Sequence, residues 1–207
     1  YDDITLRYVG RAIPPAESNL PLKALTPLEL DLGSGDCTIV CPKLEQLQTA
    51  ARRLAEAIEA NTQHVPRRVD DTVAPQTLGR GPILVMGNLI VSAVAKKLYF
   101  EGYDFTDYAW PGRGGYVVRT IRDPFGTTAN VLMIGGSYPE DIVRAAASTE
   151  EIVATRGPKL GYLNDVTLGK NADLIAGWSS EFLKDDAEWK RDGSLGSWEY
   201  LWQIGRA

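Results

Sequence analysis

Histidine, cysteine and methionine are scarce in this chain of 207 residues, with one, two and two of each. The single histidine, His64, has no Ser or Cys in a nucleophile-elbow motif to serve, so a hydrolytic triad is not expected. Cys37 and Cys41, if they lie on one strand, are about 13 Å apart at roughly 3.3 Å per residue, beyond the Cα separation a disulfide allows. A metal site built on them would lack further ligands, so the expectation is two buried thiols behaving as small apolar groups. Basic excess is also missing: the formal charge is −5, which argues against a nucleic-acid surface, because phosphate binding needs clustered Lys and Arg. No apolar run approaches the roughly 18–20 residues of a membrane span. A secretory signal is not visible, and the chain begins at Tyr1 rather than Met, so a processed protein or an excised piece of a larger one is expected.

What is present is an ordinary globular composition, 44% apolar and 24% charged, long enough to bury a core. Residues 1–25, with Pro14, Pro15 and Pro21, read as an extended arm. Leu28, Leu30 and Leu32 alternate with Glu29 and Asp31 as in a half-buried strand. The turn Gly33-Ser34-Gly35-Asp36 and a strand Cys37–Cys41 would complete a hairpin with it. Leu44, Leu47, Ala51, Leu54, Ala55 and Ile58 fall on one helical face, ending near Asn61.

Short strands are expected at Val65–Asp70, Ile83–Met86, Val117–Ile121 and Val131–Ile134, with a helix on Val91, Val94, Ala95 and Leu98 between the second and third. The connection Asp123–Ala129 is too short for a parallel crossover, which needs about a dozen residues, so the last two strands should be antiparallel neighbours. A third helix opens at Pro139. Gly161–Leu168 reads as a further strand or a linker. Beyond it, Ala172–Lys184 has helical character, and Trp178, Phe182, Trp189, Trp198, Tyr200 and Trp202 make the tail aromatic. Trp198 and Trp202 would share a helix face that needs covering. The fold expected is α/β (α+β), a mixed β-sheet with helices mainly on one face, plus a C-terminal helical segment. In domains, 1–25 is an arm, 26–157 the mixed-sheet domain, and 158–207 a linker and the start of a following module.

The glycines of Pro111–Tyr116 (PGRGGY) precede a strand, whereas phosphate-binding loops follow a strand and open a helix; a tight turn is expected there. The loop Glu101–Gly115 is rich in aromatic residues, and Tyr108, Trp110 and Arg113 are candidate substrate-binding residues: a ring that stacks on a sugar face, with a cation beside it to hydrogen-bond hydroxyls. Packing of those rings on the core is the competing reading. Arg119, Arg122 and Asp123 suggest a surface ion pair. The adjacent acids Asp70-Asp71, Glu150-Glu151 and Asp185-Asp186 do not by themselves make the carboxylate spacing of a glycosidase, because neighbours point apart. These motifs point to no catalytic triad or acid pair, no metal and no cofactor.

The order β–β–α–β–β–α–β–β–α, the Gly87-Asn88 strand end, the strand Gly115–Arg119 (GYVVR) and the closing stretch Ile134–Val143 resemble a known accessory domain. It is the non-catalytic α/β domain that precedes the catalytic module of alpha-glucuronidases and beta-N-acetylhexosaminidases. The resemblance covers about residues 25–157. Glu140-Asp141-Ile142 stand where that family has a Gly and an aromatic residue, and no barrel sequence follows. The resemblance implies an extracellular or periplasmic, polysaccharide-degrading parent protein, whose downstream catalytic or helical module is this domain's partner and whose catalytic acids lie outside this chain. Two other readings stand beside it. One is a stand-alone carbohydrate-binding module using the aromatic loop. The other is a flavodoxin-like small-ligand enzyme with its site near Gly87-Asn88 and Gly135–Ser137, which requires an all-parallel sheet.

Overall fold

The computed structural model describes residues 27–170. The helix expected at Ala172–Lys184 and the aromatic tail lie outside the described residues. Eight strands and three helices follow in the order β1 (Leu30–Asp31), β2 (Thr38–Cys41), α1 (Glu45–Thr62), β3 (Arg67–Asp70), β4 (Ile83–Gly87), α2 (Ala93–Phe100), β5 (Tyr116–Ile121), β6 (Val131–Gly136), α3 (Pro139–Arg156), β7 (Lys159–Leu160) and β8 (Asn164–Thr167). Six strands form one mixed sheet, ordered β3-β2-β4-β6-β5-β8. The first four are parallel, β5 is antiparallel to β6, and β8 is antiparallel to β5. The sheet is α/β in class and mixed in direction, as expected from the short β5–β6 connection. It lacks the all-parallel arrangement that the flavodoxin-like reading requires.

The expected hairpin of β1 with β2 is corrected. β2 pairs in parallel with β3 on one side and β4 on the other, while β1 pairs antiparallel with β7 in a separate two-stranded ribbon. The physical reason lies in β2 itself: all of Thr38, Ile39, Val40 and Cys41 are buried. A strand covered on both faces belongs in the interior of a parallel sheet rather than on a half-solvated hairpin.

The helices divide between the two faces. Leu47, Ala51, Leu54 and Ile58 of α1 and Ile142, Ala145, Ala146 and Val153 of α3 share one core with Ile39, Leu84, Met86, Val118, Leu132 and Ile134 from the sheet. On the opposite face, α2 packs Val94, Ala95 and Leu98 against Val40, Ile83, Val85, Val131 and Met133. Among the described residues, two of the three helices lie on one side and α2 on the other. It begins at Ser92, whose hydroxyl accepts from the Ala95 N–H at 3.2 Å, a conventional cap for donors left free in a first turn. α1 runs past Asn61, whose side-chain amide donates to the Ala57 carbonyl at 2.8 Å, and ends where Gln63 turns left-handed at φ 63°.

The sheet continues past residue 157, where the sequence reading ends the domain. β7 and β8 lie beyond it, and β8 supplies the outer neighbour of β5. Its side chains are exposed to half-buried, so no apolar alternation marks it in the sequence. Cys37 and Cys41 are free and buried, as expected.

Candidate functional site

Parallel strands β2, β4 and β6 end at one edge of the sheet, where open α/β sheets take their ligands. Gly87 closes β4 at φ 145°, and a Cβ there would sit 2.3 Å from the Ser92 Cβ. Only glycine lets the chain leave the strand and turn directly into the cap of α2. Asn88 follows and is fully buried. Its amide nitrogen donates to the carbonyls of Gly136 (2.9 Å) and Ser137 (3.1 Å) at the end of β6. Its amide oxygen accepts from the N–H groups of Ile90 (2.9 Å) and Val91 (3.0 Å). One side chain thus joins two strand ends across the crevice. Gly87-Asn88 and Gly135–Ser137, the pair singled out in the sequence for a small-ligand site, do come together, and the polar groups they bring are bonded to each other.

The glycine-rich turn closes the same edge from above. Gly112 and Gly114 have φ of 88° and 82°, the tight turn anticipated. The Gly112 N–H donates to the buried Ser137 hydroxyl at 2.8 Å, and the Gly114 N–H to Asp141 Oδ2 at 3.2 Å. Asp141 stands in the first turn of α3, where a carboxylate complements the helix dipole. Burial pushes its carboxyl above the ordinary range, opposed by the Gly114 N–H and by the Arg144 guanidinium. Arg144 in turn donates to the Gly114 carbonyl.

On the outside of this lattice lie the candidate binding residues. Tyr108 is 46% exposed, and its ring centroid is 5.6 Å from that of Tyr138 at an interplanar angle of 42°. Arg113 is exposed and places its guanidinium 4.7 Å from the Tyr138 centroid, within the range of a cation–π contact. The structure therefore brings Tyr108 and Arg113 to one surface, joined through Tyr138, which the sequence reading missed. Its position one residue before α3 was the available signal. Trp110 is half-buried and held through its backbone, its N–H donating to Asp107 Oδ1 at 2.9 Å and its carbonyl accepting from the Asp107 N–H at 2.8 Å.

Other candidates take structural partners. Lys43 lies 2.6 Å from Asp70 Oδ2 and holds that carboxyl down at about 2. Asp71 accepts from the Ala93 N–H at 2.8 Å, and burial raises its carboxyl, with Asp70 raising it further. Glu150 pairs with Arg53 across α1 and α3 at 3.1 Å. Arg119 pairs with Asp104, 3.6 Å away. Among the described residues no group of three or more His, Cys, Asp or Glu could hold a metal ion, and no helix is long and apolar enough to cross a membrane. Asp185-Asp186 lie outside the described residues. No protein-family model matches the chain, and no curated protein matches it.

Proposed function

We propose that this chain carries a non-catalytic accessory domain of a larger carbohydrate-active protein, and that it braces the downstream module of the same polypeptide. The observation that supports this reading is the state of the strand-end crevice. The groups that would greet a ligand there, Asn88, Ser137 and the N–H groups of Gly112 and Gly114, are already hydrogen-bonded to the protein. Such an edge is built to be rigid, and rigidity is what a brace requires. Excising residues 27–170 from the parent polypeptide should lower the melting temperature of the remaining module while leaving its kcat within about twofold. Hydrolysis of a glycan by the 207-residue chain alone would refute the reading.

A second reading has its own observation. Tyr108, Tyr138 and Arg113 form an aromatic surface with a cation on it, the composition that lets a sugar ring stack and hydrogen-bond at once. In this reading the chain binds polysaccharide through that surface. Tyr108→Ala and Arg113→Gln should each weaken retention of the chain on soluble glycans in affinity electrophoresis. Equal mobility of the original chain with and without every glycan tested removes this reading and leaves the bracing role standing.

A further inference from the structure

The face of the sheet that carries α2 is unevenly covered. α2 packs over β2, β4 and β6 and shares its core with Ile121 at the end of β5, while Arg119 in β5 meets the loop that follows α2. Between this loop and the β7–β8 connection lies an open cleft of about 370 Å³, lined among others by Tyr103, Phe105, Arg119, Arg122, Tyr162 and Asn164. Two of its aromatic residues face solvent: Phe105 is 50% and Tyr162 75% exposed. Solvent-facing rings gathered around one cleft need a reason, because apolar surface is ordinarily withdrawn from water.

Arg119 is anchored on the wall of this cleft. Its guanidinium donates to the Tyr103 carbonyl, lies 3.6 Å from Asp104 Oδ1 and sits 5.7 Å from the Phe105 centroid. Asp104 is fully buried, and its Oδ2 accepts from the Thr106 N–H at 3.1 Å and from the Thr106 hydroxyl. Both Asp104 Oδ1 and Arg119 Nε are buried without a hydrogen-bond partner. The Tyr103 carbonyl and the Asp104 carboxylate hold the guanidinium in place, and with five N–H donors it has more than these two partners take up. Arg122, exposed at the same cleft, adds a second cation. Planar guanidinium donors match the two oxygens of a carboxylate, and the rings around them match a flat six-membered body.

We infer that this cleft is a binding site for a carboxylate carried on a six-membered ring, with Arg119 and Arg122 receiving the carboxylate and Tyr103, Phe105 and Tyr162 receiving the ring. The site is separate from the Tyr108–Tyr138–Arg113 surface, and it stands whether or not the domain braces a catalytic module. Two sources share this chemistry, an aromatic acid and an acidic sugar unit, so the test uses one of each beside its uncharged counterpart.

The 207-residue chain is titrated with benzoate and benzamide, and with glucuronate and glucose, followed by protein-detected NMR. At least one acid should bind about tenfold or more tighter than its neutral counterpart, the size of one charge-assisted hydrogen bond. The acid that does so identifies the source. Arg122→Gln, at an exposed position where a substitution ordinarily changes stability little, should remove most of that preference. Tyr162→Ala should weaken acid and neutral compound alike. Arg119→Gln should remove the preference too, but it strands Asp104 and is read only if its spectrum is that of a folded protein. Equal affinity for acid and neutral compound in both pairs overturns the inference. So does a preference that survives Arg122→Gln but disappears in Arg113→Gln, which would put the anion on the other surface.

Discussion

Replacing Asn88 by alanine tests whether one amide knits the strand ends together. The side chain makes four hydrogen bonds, two to carbonyls of Gly136 and Ser137 and two from the N–H groups of Ile90 and Val91. The two carbonyls lie in buried surroundings, and each would be stranded at about 1–3 kcal/mol. The two N–H groups are nearer solvent, so water replaces much of what they lose, and about 0.5 kcal/mol each is a fair charge. Asn88→Ala should therefore cost about 3–7 kcal/mol in urea unfolding. At about 2–4 °C per kcal/mol for a chain of this size, the melting temperature should fall by roughly 15 °C. Asn88→Asp separates hydrogen bonding from shape. The introduced carboxylate still accepts from Ile90 and Val91, but it faces two carbonyl oxygens with nothing to donate. Its folded pKa is raised by burial and by those oxygens. Stability is then present below the unfolded value of about 3.9 and is lost as pH rises through the raised one. The Asp variant should be the weaker of the two at pH 7 and should gain on the Ala variant as pH falls toward 4. A loss below about 1 kcal/mol for Asn88→Ala, or a gap between the variants that ignores pH, would show that the crevice is not closed by this side chain.

Leu54→Ala, at a fully buried position on α1 facing α3 and the sheet, should cost about 2–5 kcal/mol; a loss under about 0.5 kcal/mol in urea unfolding would mean that face is not the packed one. Gly136→Ala should destabilise by at least about 1–3 kcal/mol, because its Cβ would lie 2.8 Å from the backbone of Asp141 and Ile142, and α3 would have to lift from the sheet; thermal melting reads it directly. Burial pushes both thiols up to about 12, with Asp71 and Asp70 adding to the effect at Cys41 against Arg68. Neither should react with a disulfide reagent at pH 8 until urea is added, and stability should decline as pH climbs from the unfolded thiol range near 8.5 toward 12. Rapid labelling of the native chain would contradict the burial of β2.

How much could be read from residues alone depended on whether the signal was local. The antiparallel pairing of β5 and β6 was legible because a seven-residue connection allows nothing else, and α1 was legible because Leu47, Ala51, Leu54 and Ile58 repeat at helical spacing. The hairpin reading of β1 and β2 failed because Gly33-Ser34-Gly35-Asp36 is good turn chemistry, and turn chemistry says nothing of what lies across the sheet. The run from Cys37 to Cys41, which carries no charge and only Thr38 as a polar residue, was the contrary signal, since a strand without a solvated face wants neighbours on both sides. Tyr108 and Arg113 were found by composition, whereas their joining residue Tyr138 lies 25 or more positions away and is brought in by α3. The Asp104–Arg119 pair is a tertiary accident of the same kind: nothing within either segment specifies the other.

The position of β8 bears on how the molecule is made. Its partner β5 is completed at Ile121 and meets β6 about ten residues later, but its other flank stays bare until Asn164–Thr167 arrive. On a ribosome, where the chain emerges from its amino end, that is an interval in which Tyr116–Ile121 offers unsatisfied backbone to any passing strand. Arg119, at the middle of that segment and paired across from Asn164, puts a positive charge where a stray partner would have to lie. The same guanidinium that faces the cleft in the finished protein would act earlier as a guard against wrong pairing.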